Sequence, residues 1–100
     1  MPSRARRSSQ TDRASRDMEW KVELPVPAFG LGEVFQAMHQ WAALKGEYRR
    51  DWYQWSFPGG LGPDGLPIPH VCFAFRDGNV AHEFAARWQQ QGAVLRTNGR

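Results

Sequence analysis

The sequence predicts an α+β fold, and three observations lead to that prediction. Three segments alternate between apolar and polar residues with the period of two that is typical of half-buried strands. Two other segments carry apolar residues at spacings of three and four, which is the period of one helical face. The length of 100 residues suits a single domain.

The first half of the chain predicts one strand followed by one helix. The alternation starts at Trp20 and reaches Leu24, and Pro25 ends it because proline cannot donate to a sheet ladder. The helix is expected from Glu33 to Lys45. Its acidic first turn and basic last turn both complement the helix dipole.

The second half predicts two strands, a helix and a short final strand. The strands are expected at 51–57 and 70–76, with the Gly- and Pro-rich residues 58–69 between them as a long loop. Asp77 or Asn79 is expected to cap the second helix. Residues 93–97 are short and near the chain end, so the sequence leaves open whether they form a fourth strand.

This order of elements is the ferredoxin-like βαββαβ pattern. It predicts an antiparallel sheet with two helices packed on one face. Alternation assigns the side chains to a face that the helices cover and a face that stays open. The covered face is expected to hold Trp20, Val22, Leu24, Tyr53, Trp55, Phe57, Val71, Phe73 and Phe75. The open face is expected to hold Lys21, Glu23, Trp52, Gln54, Ser56, His70, Cys72, Ala74 and Arg76.

The positive charge is concentrated before the predicted domain. Residues 1–17 hold five arginines and two aspartates, which accounts for the whole net charge of +3. They contain almost no large apolar side chain, so we expect a disordered basic N-terminal tail before an α+β domain at 18–100. An alternative is that translation begins at Met18.

Composition and spacing argue against several classes of function. The chain has one cysteine, Cys72, and no apolar run near the ~20 residues of a membrane span. A cytoplasmic protein without membrane association is therefore expected. The three histidines are expected on separate surfaces, and no paired carboxylates or Ser-His-Asp spacing occurs. We expect no enzyme activity, metal or cofactor.

The leading functional hypothesis is a non-enzymatic protein-interaction module, a homodimer joined through the open sheet face. The reason for this hypothesis is a large aromatic residue, Trp52, among mixed charges on that face. Apolar residues of the 58–69 loop are expected either to fold back on the domain or to dock a partner. The candidate interaction surface is Lys21, Trp52, Gln54, His70, Arg76, Leu61 and Leu66.

The alternative hypothesis is a nucleic-acid-binding accessory protein. Arginines in the tail would bind phosphates, and Trp52 with nearby arginines would hold a single strand by stacking and charge. The aromatic positions of RNA-recognition domains are not matched, since His70 and Cys72 fall where the stacking rings would be. The candidate contacts are Arg4, Arg6, Arg7, Arg49 and Arg50, with Arg76 beside Trp52.

Overall fold

The computed structural model describes residues 18–97. Their elements are β1 (Trp20–Pro25), α1 (Glu33–Lys45), β2 (Trp52–Leu61), β3 (Pro67–Phe75), α2 (Gly78–Arg87), a 3₁₀ turn (Gln89–Gln91) and β4 (Val94–Thr97). The expected tail, with Arg4, Arg6 and Arg7, lies outside the described residues. The α+β class is confirmed, and the short final strand forms.

The four strands make one antiparallel sheet in the order β2-β3-β1-β4. Both helices lie on the same face of this sheet. Phe35 of α1 and Phe84 of α2 both contact Phe73 in the central strand β3, with ring centres 6.0 and 4.7 Å away. Burial of these rings supplies much of the stabilisation of a small core.

Local sequence explains where the helices begin and end. α1 spans the expected residues, from Glu33 in the first turn to Lys45 in the last. Asp77 caps α2, because its side chain accepts a hydrogen bond from the Asn79 N–H at 2.8 Å. Gly92 follows the 3₁₀ turn with a φ of 92°, a left-handed conformation that glycine adopts without steric cost.

The expected loop at 58–69 was wrong, because most of it is strand. β2 continues to Leu61 and β3 starts at Pro67. The connection is a turn at Gly62–Gly65, where the Gly65 N–H donates to the Gly62 carbonyl at 3.0 Å. The hairpin therefore extends as an arm past Pro25, the last β1 residue paired with β3.

The expected faces of β2 were also wrong, and a bulge explains the error. Next to the turn, Leu61 lies opposite Pro67, and this register continued without a break would place Tyr53 opposite Phe75 on the covered face. A register shift between Pro58 and Leu61 moves the pairing by one residue, so that Trp52 lies opposite Phe75. A slip of one residue exchanges the two faces of a strand.

The covered face therefore holds Trp52, which is only 3% exposed. Its indole N–H donates to the Gly46 carbonyl at 3.0 Å, which ties β2 to the end of α1. His39 of α1 packs beside it, 5.5 Å from the Trp52 ring and 5.3 Å from Phe73. The expectation that His39 lies on the surface was wrong.

Candidate functional site

The sheet face opposite the helices is the candidate functional site, and we call it the uncovered face. The strand register arranges its side chains in three rows across the sheet. The first row is Arg96, Lys21, Ala74 and Tyr53, the second is Val94, Glu23, Cys72 and Trp55, and the third is Pro25, His70 and Phe57.

Aromatic side chains occupy the β2 side of the uncovered face. Tyr48, just before β2, lies at the outer edge of that strand, where its ring is 4.7 Å from Trp52 and stacks on Tyr53 with ring centres 5.4 Å apart. Tyr53 in turn contacts Trp55 at 5.8 Å. Phe57 continues the line and lies 5.3 Å from the His70 ring. We call Tyr48, Tyr53, Trp55 and Phe57 the aromatic row.

Small residues of β3 lie beside this row and are fully covered. Ala74, opposite Tyr53, and Cys72, opposite Trp55, are at most 1% exposed. Since both helices lie on the other face, we attribute their cover to the neighbouring side chains of β1 and β2. Tyr53 and Trp55 contribute to this cover, and each retains partial exposure.

Cations lie at the Tyr53 end of the aromatic row. The Arg49 guanidinium lies 5.7 Å from the centre of the Tyr53 ring, within the range of a cation–π contact. Arg49 has a φ of 75°, the left-handed region that a side chain other than glycine adopts at a cost. Its N–H donates to the Trp52 carbonyl at 2.6 Å, which holds this turn against β2.

The neighbouring arginines are tied into the same end of the sheet. The Arg76 Nε–H donates to the Arg50 carbonyl at 2.8 Å, and Arg50 pairs with Glu47 at 3.3 Å. On the far side of the face, Arg96 pairs with Glu23 at 2.8 Å. Exposed ion pairs of this kind contribute little to stability.

Burial changes the acidity of two groups at the site. The pKa of the Cys72 thiol is raised to about 12, first by burial and then by the Glu23 carboxylate, against the opposing effect of Lys21. Burial also raises the pKa of Tyr48, and its neighbour Tyr53 adds to that shift. Both groups are therefore neutral near pH 7, and Cys72 lacks the thiolate that a nucleophile needs.

The residues expected to form one interaction surface are divided among three places. Lys21, His70 and Arg76 follow the register of the uncovered face, whereas Trp52 and Gln54 lie on the helix side. His70 is half-buried, and its Nδ1 lies 2.8 Å from the Ile68 carbonyl. Leu61 and Leu66 are near the turn of the β2–β3 hairpin.

The apolar residues near the hairpin turn do not fold back. Leu61 is 70% exposed and Leu66 is 62% exposed. Ile68 is half-buried, and it lines a shallow cavity of about 400 Å³ together with Val26 and Leu66. This hairpin end is a second apolar surface, separate from the aromatic row.

A cleft lies between the end of α1 and the start of α2. It has a volume of about 270 Å³ and is lined by Lys45, Asp51, Arg76 and Asp77 among others. Its two carboxylates already accept hydrogen bonds, from the N–H groups of Glu47 and Asn79. Within residues 18–97, no group of three His, Cys, Asp or Glu side chains converges as a metal site requires.

Comparisons with known proteins give no information on what this face binds, so its interpretation depends on its geometry. No family model, curated protein or solved structure matches the chain. No helix in the described part of the chain is both long and apolar enough to cross a bilayer.

Sequence reasoning missed the aromatic row as a surface feature. Tyr53, Trp55 and Phe57 were expected to form part of the core, and Tyr48 was not considered. The pair Gly59-Gly60, where the register shifts, is the one local signal for the bulge that moves these rings to the uncovered face.

Proposed function

We propose that the uncovered face binds single-stranded nucleic acid, with bases stacked on the aromatic row and phosphates near the cations at its Tyr53 end. The observation that carries this proposal is the line of rings from Tyr48 through Tyr53 to Trp55, with the Arg49 guanidinium over Tyr53. The role is binding, without catalysis.

Spacing supports stacking as the mode of contact. Alternate residues of a strand lie about 6.7 Å apart. The ring centres of Tyr53 and Trp55 are 5.8 Å apart and those of Tyr48 and Tyr53 are 5.4 Å apart, which is less than twice the ~3.4 Å separation of stacked bases. A base therefore stacks over a ring and does not insert between two rings. Stacking on aromatic side chains tolerates any base, so weak sequence preference is expected.

Charge supports contact with phosphates. Five cations, Arg49, Arg50, Arg76, Lys21 and Arg96, follow the uncovered face or its Tyr53 end, against the two carboxylates of Glu23 and Glu47. The five tail arginines precede Met18, and β1 starts at this same end of the sheet, because Trp20 pairs with Phe75, which pairs with Trp52.

The fold that we propose for this module is the ferredoxin-like βαββαβ arrangement. Its support is the order of the elements together with the sheet order β2-β3-β1-β4, in which two strand–helix–strand units interleave. A four-stranded sheet with one uncovered face is also the platform on which RNA-recognition domains stack bases. That likeness in architecture carries no function by itself.

A titration of the full chain against a labelled single-stranded oligonucleotide tests the proposal by fluorescence anisotropy. Trp55→Ala is expected to weaken binding by about 1–3 kcal/mol, because one base loses its stacking partner. Leu44→Ala is the matched control, since it removes an exposed apolar side chain of α1. Equal affinity of Trp55→Ala and the wild type would overturn the stacking proposal.

Replacement of Arg4, Arg6 and Arg7 by alanine tests the part assigned to the tail. The dependence of log K on log salt is expected to become shallower by about 0.7 for each phosphate that the variant no longer neutralises. If this variant lost all binding while Trp55→Ala lost none, binding would be electrostatic alone and independent of the aromatic row.

A second candidate is a protein-interaction role for the same face, including face-to-face pairing of two copies. Tyrosine and tryptophan are enriched at interfaces, and this supports the candidate. If this candidate holds, Trp55→Ala lowers the mass measured by sedimentation and leaves oligonucleotide binding unchanged.

A further inference from the structure

The outer edge of β2 differs from the outer edge of β4. β2 is ten residues long and, in the sequence WYQWSFPGGL, carries no charged side chain. β4 has only four residues, and one of them is Arg96. Short length, charge, proline and bulges protect an edge from pairing with another chain. In β2 the bulge lies between Pro58 and Leu61, and Tyr48 already pairs with Trp52, so the stretch of this edge that remains for pairing is 54–58.

Alternation along β2 shows which main-chain groups face outward. The Asp51 carbonyl accepts the Arg76 N–H at 3.0 Å, so residue 51 faces β3. The Trp52 carbonyl instead accepts the Arg49 N–H, and the Gln54 carbonyl accepts the Tyr48 hydroxyl at 3.4 Å, so both face away from β3. In an antiparallel ladder these directions alternate, which leaves Ser56 and Pro58 facing outward too.

The outward groups form a self-complementary set. Ser56 presents an N–H and a carbonyl, and Gln54 presents an N–H while its carbonyl is occupied by Tyr48. Pro58 presents only a carbonyl, because proline has no N–H. Across a two-fold axis at Ser56, Gln54 lies opposite Pro58. The Gln54 carbonyl, which already accepts the Tyr48 hydroxyl, then faces Pro58, which has no N–H to donate.

We infer that β2 pairs antiparallel with β2 of a second copy of this chain, with the two Ser56 residues opposite each other. Each Ser56 exchanges two main-chain hydrogen bonds with its counterpart, and each Gln54 N–H donates to the Pro58 carbonyl of the second copy. The joined sheet has eight strands.

Side chains fit the same register. On the uncovered face, Trp55 lies opposite Phe57 of the second copy, so the two aromatic rows meet across the axis. At this edge the main chain of Tyr48 already pairs with Trp52, so the second copy pairs only over 54–58, and its Gly59 and Gly60 lie beyond the paired stretch. This pairing covers neither sheet face, and it is independent of the proposed nucleic-acid binding.

Sedimentation velocity of the full chain, without nucleic acid, tests the pairing. The wild type is expected to sediment as a dimer. Ser56→Pro is expected to sediment as a monomer with an unchanged circular dichroism spectrum, because it deletes an N–H that faces away from β3. Ser56→Ala, the matched control, keeps the N–H and is expected to remain dimeric. A monomeric wild type, or a dimeric Ser56→Pro variant, would overturn the inference.

Disulfide trapping tests the register and does not depend on how well the proline variant folds. Facing residues of a hydrogen-bonded pair have Cα atoms about 5.5 Å apart, within reach of a disulfide. Ser56→Cys is therefore expected to give a covalent dimer under mild oxidation. In the same register, residue 58 of one copy lies four strand positions from residue 58 of the other. Pro58→Cys is therefore expected to give no covalent dimer. The native Cys72 is buried and does not interfere. Absence of the Ser56→Cys dimer, or equal trapping at position 58, contradicts this register.

Discussion

Replacement of Trp52 tests the β2 register, on which the whole description of the uncovered face depends. The Trp52 ring is 3% exposed and packs between Phe73 and His39. Truncation of a buried tryptophan to alanine costs about 3–5 kcal/mol through lost burial and the cavity that remains. The indole hydrogen bond to the Gly46 carbonyl adds about 1 kcal/mol.

Trp55→Ala provides the comparison, because it removes the same side chain from the opposite face of the same strand. The Trp55 ring is half-buried, and no helix packs on it. We expect this variant to lose about 1 kcal/mol, since less apolar surface leaves the protein interior. The difference between the two variants is therefore about 3–5 kcal/mol.

Urea unfolding followed by circular dichroism measures both variants without relying on tryptophan fluorescence. Small domains are stable by about 5–15 kcal/mol, so Trp52→Ala comes close to unfolding the protein. Trp52→Phe keeps most of the apolar ring and is expected to lose about 1–3 kcal/mol. Equal losses for Trp52→Ala and Trp55→Ala, or a larger loss at Trp55, would refute the register.

Three further predictions concern single groups. Burial lowers the pKa of His39 from its ordinary 6.5, so the unfolded chain binds more protons than the folded one below that value. The free energy of unfolding should therefore fall as the pH drops below about 6.5. Urea unfolding at several pH values should show that His39→Gln removes this dependence. The control His82→Gln, which replaces an exposed histidine, should retain it. Asp77→Ala should cost about 1 kcal/mol in thermal unfolding because α2 loses its cap, whereas Asp77→Asn keeps an acceptor and should cost less; equal losses would contradict the cap. Cys72 should resist iodoacetamide at pH 8 in the folded protein and react after unfolding, as followed by mass spectrometry, and fast native labelling would contradict its burial.

The elements were predictable because their signals are local. The α1 range followed from the spacing of its apolar residues and the charges at its ends, and β1 followed from alternation up to Pro25. The turn at Gly62–Gly65 was recognisable from its proline and glycines. These features depend on a few neighbouring residues, so tertiary contacts did not alter them.

The candidate site was not predictable, because it depends on a bulge. Both faces of β2 carry tryptophan, at Trp52 and at Trp55, so alternation alone cannot tell which face enters the core. The register shift between Pro58 and Leu61 decides the question. A bulge adds one unpaired residue to a strand. Pairs of glycines also occur in many strands and turns without a bulge, so Gly59-Gly60 alone does not reveal one. The exposure of the aromatic row was therefore visible only in three dimensions.

Photo-crosslinking to a single-stranded oligonucleotide that contains 5-iodouracil tests the central claim most directly. Trypsin cleavage after Arg50 and Arg76 releases the peptide of residues 51–76, which holds three members of the aromatic row. We predict that the dominant crosslink lies in this peptide, at Tyr53 or Trp55. Crosslinks confined to residues 1–17, or to Trp41 and Trp88 on the helix side, would contradict binding at the uncovered face.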